Sequence, residues 1–111
     1  MITNKTKNEI LVDKSQVCVS SWSKAIGLMF SMKKELALIF TFGHAKKVPL
    51  HMWFVFYPID VLFLDEHRRV VEIKRNFKPF TYYNPRKKSK YVLELPVRRT
   101  DNTDINDQID F

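Results

Sequence analysis

Met52-Trp53-Phe54-Val55-Phe56-Tyr57-Pro58-Ile59-Asp60-Val61-Leu62-Phe63-Leu64-Asp65 is the stretch on which the fold turns. Its apolar part falls short of the roughly 20 residues a membrane span requires, and Pro58 and Asp60 interrupt it. Aromatic and β-branched side chains suit a pleated, packed surface, and proline cannot donate to a sheet ladder. The stretch therefore predicts two strands divided at Pro58, one ending near Phe56 and the next beginning near Ile59. In the second, Val61 and Phe63 point one way and Asp60, Leu62 and Leu64 the other. Both faces are apolar, as in a central strand covered on both sides.

Working outward, the same period of two recurs. Leu36, Leu38, Phe40 and Phe42 share one face of a predicted strand and Ala37, Ile39 and Thr41 the other, and Gly43 to Lys47 breaks the pattern. Val70-Val71-Glu72-Ile73-Lys74 follows the loop Asp65 to Arg69 and is expected to pair antiparallel with the central strand, with Val71 and Ile73 inside and Glu72 and Lys74 outside. Tyr91 to Leu95 alternates again until Pro96. Ile109 and Phe111 alternate after the turn-like Asn106-Asp107, so a short last strand returns to the sheet. Toward the N-terminus, Ile10-Leu11-Val12 and Gln16-Val17-Cys18-Val19 read as a hairpin about Asp13 to Ser15. Trp22, Ala25, Ile26 and Met29 have helical spacing after the capping serines Ser20 and Ser21, which predicts one short helix.

The expected architecture is mainly β, α+β at most: a compact antiparallel barrel-like sheet with one short helix. A chain of 111 residues is one domain's worth. Residues 1–8 are expected to be flexible and 9–111 to form the β-barrel-like domain. Nine Phe, four Tyr and two Trp against two Gly indicate an aromatic-rich core, and the single Cys18 excludes an internal disulfide. The polar opening has neither signal-peptide nor membrane-anchor pattern, so a cytoplasmic, membrane-free protein is expected; the sequence leaves its oligomeric state open, and a monomer is assumed.

The net charge of +7 is unevenly spread. Nine Lys and Arg residues lie between Arg68 and Lys90, opposed only by Glu72, whereas four Asp and no base follow Thr100. The segment Phe77 to Lys90 mixes aromatic and cationic side chains in what reads as a long surface loop. Tyr82, Tyr83, Arg86, Lys87, Lys88 and Lys90 are the candidate binding residues: rings can stack on bases while Lys and Arg follow a phosphate backbone. The plainer account is that Phe80 and one Tyr anchor the loop to the core and the lysines are merely solvated.

Asp60 is the candidate acid, because a carboxylate among Ile59, Val61, Leu62 and Phe63 must find hydrogen bonds or a cation. His51, Trp53 and Asp60 would line a pocket. The structural alternative has backbone N–H groups near Pro58, or a cation, satisfying Asp60. His44, His51 and His67 show no metal-ligand spacing, and neither a Gly-x-Ser-x-Gly nucleophile nor a phosphate-binding glycine loop is present. No metal and no cofactor are expected.

The blocks Gly27-Leu28-Met29-Phe30, Pro58 to Asp65, Val70-Val71-Glu72-Ile73 and Tyr91 to Pro96, in that order, resemble the uncharacterised domain-of-unknown-function family 192. The resemblance runs from about Val17 to Phe111. His51 to Phe56 and Pro85 to Lys90 bring it nearest to archaeal members. It implies a small, mostly β, barrel-like domain with one short helix and supplies no activity. Phe54 stands where many relatives have Asn, and Asn106-Asp107 replaces a Gly-Asp turn.

Three functions are thus in play. The first is a non-catalytic binding module that presents the basic loop to an anionic partner, with nucleic acid leading. The second is a small enzyme or ligand-binding protein with a cleft near Asp60 and His51. The third is an interaction or assembly module using a free strand edge.

Overall fold

The computed structural model describes residues 1–19, 37–47, 50–51, 57–79 and 81–111. Among these residues ten strands form: β1 (Ile2–Asn4), β2 (Glu9–Val12), β3 (Ser15–Val19), β4 (Ala37–Lys46), β5 (Leu50–His51), β6 (Ile59–Leu64), β7 (Val70–Phe77), β8 (Tyr82–Tyr83), β9 (Ser89–Pro96) and β10 (Ile109–Asp110). They build a five-stranded sheet of order β3-β4-β9-β6-β7, a three-stranded sheet β10-β1-β2 and a ribbon β5-β8. The large sheet is not closed into a barrel; β3 and β7 are its edges. Among the described residues no helix is long and apolar enough to cross a membrane.

β6 begins one residue after Pro58 and is buried at all six positions. It lies between β9 and β7, antiparallel to both. Ile59, Val61 and Phe63 pack with Leu38, Phe40, Phe77 and Val92 on one face of the sheet. Leu62 and Leu64 pack with Ala37, Ile39, Leu93 and Leu95 on the other. The three-stranded sheet covers that second face through Ile2, Leu11, Val12 and Ile109, so the alternation read in the sequence becomes a core on both sides. Burying each such large side chain contributes about 1.5–3 kcal/mol.

Four expectations change. The hairpin of Ile10–Val12 with Gln16–Val19 does not form: β2 pairs back onto β1, and β3 runs parallel to β4. Ala37 N–H donates to Lys14 C=O at 3.1 Å, which opens that parallel ladder. A tight turn joins only antiparallel neighbours, and the 17 residues numbered 20–36 are long enough for a parallel crossover. The helix expected at Trp22–Met29 falls within them, outside the described residues. In place of a flexible leader, residues 1–8 contain β1, with Ile2 and Asn4 fully buried. β4 continues past Gly43 to Lys46, with a ladder irregularity after Thr41 where the strand becomes exposed. The 77–90 segment carries β8 and, among its described residues, three buried ones, Phe77, Pro85 and Ser89, rather than being loop throughout.

A fifth correction concerns the acid within the basic run. The register slips between Phe63 and Leu64: Leu64 opposes Val70, but Phe63 opposes Glu72. Val71 is the extra residue of a β-bulge, which turns Glu72 toward the Phe63 face instead of outward. Glu72 is 9% exposed.

The chain ends are tied together. Asn4 Nδ2 donates to Thr103 Oγ1 at 3.1 Å and Asp107 Oδ2 at 2.9 Å, while Lys7 Nζ reaches Asp104 at 2.8 Å and Asp107 at 2.9 Å. Burial pushes the Asp107 carboxyl up, but hydrogen bonds from Asn4, the Asp104 N–H and Lys7 leave it below its ordinary value. β10 pairs with β1, and the Arg68 guanidinium lies 3.9 Å from the Phe111 ring centre. The turn before β10 holds Asn106 at φ 75°, in the left-handed region that asparagine tolerates better than other side-chain-bearing residues. Asn106→Gly is expected to leave the melting temperature unchanged or slightly raised. Asn106→Ala should cost roughly 1 kcal/mol. Equal melting temperatures for the two variants would show that the turn does not depend on this backbone state.

Candidate functional site

Asp60 is 2% exposed, and both its oxygens are engaged. Oδ1 accepts the Asn76 N–H at 2.9 Å; Oδ2 accepts the Arg98 N–H at 3.1 Å and the Thr100 hydroxyl at 2.7 Å. Asn76 and Arg98 both have positive φ, 51° and 72°. The carboxylate therefore offsets the strain of two left-handed turns, one at the end of β7 and one after β9. The donors come from those turns rather than from the neighbourhood of Pro58. This is the structural alternative, and it leaves no Asp60 oxygen for acid-base work on a bound molecule. His51 lies opposite Tyr82 in the β5-β8 ladder. Its side chain and Trp53 are outside the described residues, so the expected His51-Trp53-Asp60 pocket is not assembled from what is described.

The cationic segment is organised by Glu72. Its Oε1 accepts the backbone N–H groups of Arg86 at 2.8 Å and Lys87 at 2.9 Å, and its Oε2 accepts the Tyr83 hydroxyl. Burial, the hydrogen bond to Glu72 and that group's charge push the Tyr83 phenol up to about 12. Tyr83 packs against Phe63 at 5.9 Å and Phe77 at 6.4 Å between ring centres, so the segment is anchored both to the core and to the bulge. Alternation along β8 sends Tyr82 outward, 66% exposed. Arg86, Lys87 and Lys88 are exposed, and Lys90 is half-buried with its ammonium 5.8 Å from the Tyr91 ring centre.

Beside this segment lies an open cleft of about 590 Å³, lined by Glu72 and Arg75 of β7, by Tyr83, Arg86 and Lys87 of the cationic segment, and by Thr103, Asp104 and Ile105. A volume of this size suits a small ligand or a short stretch of polymer. Arg75 is already committed in part, donating to the Thr100 and Thr103 carbonyls at 2.8 and 2.6 Å. The cleft opens on edge strand β7, whose first residue is covered: Val70 exchanges hydrogen bonds with Asp107 and Asn106. Charged side chains guard the remaining edge, as sheets commonly arrange. His44 and His67 are exposed, and among the described residues no three His, Cys, Asp or Glu converge as metal ligands.

Glu94 is the group that sequence reasoning passed over. It sits mid-way along β9, paired with Leu38 of β4 and Val61 of β6, on the Phe63 face. It is 3% exposed, and its Oε2 has no hydrogen-bond partner. Burial pushes its carboxyl up to about 8. Tyr57, packed against the same face, also has an unpartnered buried hydroxyl; burial and then the proximity of Glu94 push its phenol above its usual range. The available signal was an acid inside Val92-Leu93-Glu94-Leu95, the same argument that singled out Asp60. An acid in an alternating strand also fits a solvated face, so only knowledge that β9 is interior separates the two.

The family pattern described as "Uncharacterized ACR, COG1430" matches residues 2–111. A UPF0127 protein of Thermococcus sibiricus is 34% identical over 115 residues, covering 100% of this chain and 74% of the relative. Another from Pyrococcus horikoshii is 34% identical over 98 residues, covering 86% and 84%. Among solved structures, a Sinorhizobium meliloti protein described as a candidate transcription regulator superposes with TM-score 0.76 at 24% identity, over 86% of this chain and 79% of its own. A protein of unknown function from Novosphingobium aromaticivorans gives 0.75 at 24% identity, over 87% and 74%. These two show the fold alone. With a matching pattern across nearly its whole length and archaeal relatives at this identity, the chain belongs to the uncharacterised family DUF192.

Proposed function

We propose that this is a cytoplasmic, non-catalytic binding module that holds an anionic partner, nucleic acid foremost, on the segment Tyr82 to Lys90. The observation that carries this reading is the Glu72 carboxylate, which fixes Tyr83 and the backbone of Arg86 and Lys87 at once. Arg86, Lys87 and Lys88 therefore project from a pinned segment rather than a loose one. Pre-ordering a binding loop lowers the entropy lost on association. The exposed Tyr82 ring adds a face on which a base can stack, and the adjoining cleft gives room for one. The rival enzymatic reading lacks its acid, because Asp60 is fully engaged.

Titration of a fluorescent single-stranded oligonucleotide at several salt concentrations tests the proposal. Affinity should fall linearly on a log-log plot, and removing three phosphate contacts in Arg86→Ala/Lys87→Ala/Lys88→Ala should flatten the slope by about 2. Tyr82→Ala should weaken binding by about 1–3 kcal/mol with the salt slope unchanged. Absence of binding to RNA, single-stranded DNA and duplex DNA at low salt would end this reading.

A further inference from the structure

The face of the large sheet that bears Phe63 holds a row of paired residues crossing four strands: Leu38, Glu94, Val61 and Lys74. Two members are ionisable, and they are two strands apart. The Lys74 ammonium is over the Tyr83 ring, 5.5 Å from its centre, and contributes nothing to the state of Glu94, which is set by burial. Among the described side chains, Tyr57, Glu72, Tyr83 and, by alternation along β9, Lys90 also belong to this face; Glu72 and Tyr83 are bonded to each other, and the Lys90 ammonium lies toward the Tyr91 ring. What remains is an acid and a phenol, each with a buried oxygen that reaches no partner, among Leu38, Phe40, Val61 and Phe63. Ser89, the other described residue with such an oxygen, is five positions along β9 from Glu94, roughly 17 Å away, and is not part of the pair.

We propose that Glu94 and Tyr57 form a buried site that takes a small, mainly apolar molecule by its carbonyl oxygen. Buried polar groups in folded proteins are almost always hydrogen-bonded, so two unpartnered ones on one apolar face point to a third group between them. At neutral pH Glu94 retains its proton and Tyr57 its own, which makes both O–H donors and neither a charge. Two neutral donors in an apolar setting match one acceptor with two lone pairs on an otherwise apolar body, which describes a ketone, aldehyde or ester carbonyl. A cation would require the carboxylate form, which burial disfavours. The site is separate from the Tyr82 to Lys90 platform and does not depend on it.

The test uses isosteric pairs that differ only in C=O against C=CH₂: acetone with isobutene, and acetophenone with α-methylstyrene. Binding is followed by NMR of the full chain, with carbon-13 at the ketone carbonyl. The ketone of at least one pair should bind about tenfold or more tightly than its hydrocarbon, with the carbonyl resonance displaced downfield. Tyr57→Phe and Glu94→Leu, each checked for native fold by near-UV circular dichroism, should abolish the preference. Glu94→Gln keeps a donor and should keep it; wild-type binding should weaken as pH rises through about 8, while that of Glu94→Gln should not. Equal affinity within both pairs, no binding of any probe, or a preference that survives in Tyr57→Phe and Glu94→Leu would overturn the proposal in favour of a hydrated acid.

Discussion

Asp60→Ala is expected to destabilise the protein by roughly 3–5 kcal/mol, a fall on the order of 12–25 °C in melting temperature. The substitution leaves the N–H groups of Asn76 and Arg98 and the Thr100 hydroxyl without their acceptor. Thr100 is fully buried, so water cannot readily replace the carboxylate there. The two N–H groups belong to residues with positive φ, so the same change also releases the tethers on two strained turns. Asp60→Asn, which retains one acceptor oxygen but sets an NH₂ against donors, should lie between wild type and alanine. Thermal and urea denaturation provide the measurement. A loss below about 1 kcal/mol for Asp60→Ala would show that the three hydrogen bonds are not what keeps this acid inside.

Glu94→Leu should change stability in the opposite direction, and by an amount that depends on pH. In the unfolded chain this carboxyl ionises near 4.5, and in the fold it keeps its proton to about 8. The folded state therefore binds more protons between those values, and its stability is full below about 4.5 and declines as pH rises through about 8. The whole decline is at most about 5 kcal/mol, since each unit of displacement corresponds to about 1.4 kcal/mol. Leucine of similar size carries no charge to bury. Glu94→Leu should match or modestly exceed wild type near pH 5 and be clearly more stable near pH 8.5, with a flat profile across the interval. Urea unfolding at a series of pH values decides it. Parallel profiles for the two proteins would mean that Glu94 ionises in the fold as it does in water.

The two acids show how unlike the fates of similar residues can be. Asp60 lies on the face toward the three-stranded sheet and meets three donors brought by distant turns. Glu94, one strand away on the opposite face, pairs laterally with Leu38 and Val61 and receives none at Oε2. Glu72, on that same face, is bound three times over because a single inserted residue, Val71, rotates it inward. The acid that organises the cationic segment is thus the one acid within the basic run, and its sequence position alone suggested a solvated side chain. A strict period of two puts Glu72 outside and Val71 with Ile73; the bulge sets Glu72 and Val71 on the Phe63 face and Ile73 on the opposite one.

What the sequence by itself determined is local. Alternation placed β4, β6, β7 and β9 and assigned the faces of Leu38, Phe40, Val61 and Phe63, because side chains on a strand point to opposite sides at every step. Asn106 marked its turn because few other residues tolerate that φ. Only the tertiary structure decided the parallel pairing of β3 with β4, the inward turn of Glu72, and the partners of Asp60, which lie 16, 38 and 40 residues away. It also decided that Glu94 is buried. Whether a polar side chain faces water depends on which strands flank its own and what covers them, and strand order is a property of the whole packed chain that no short window of residues contains.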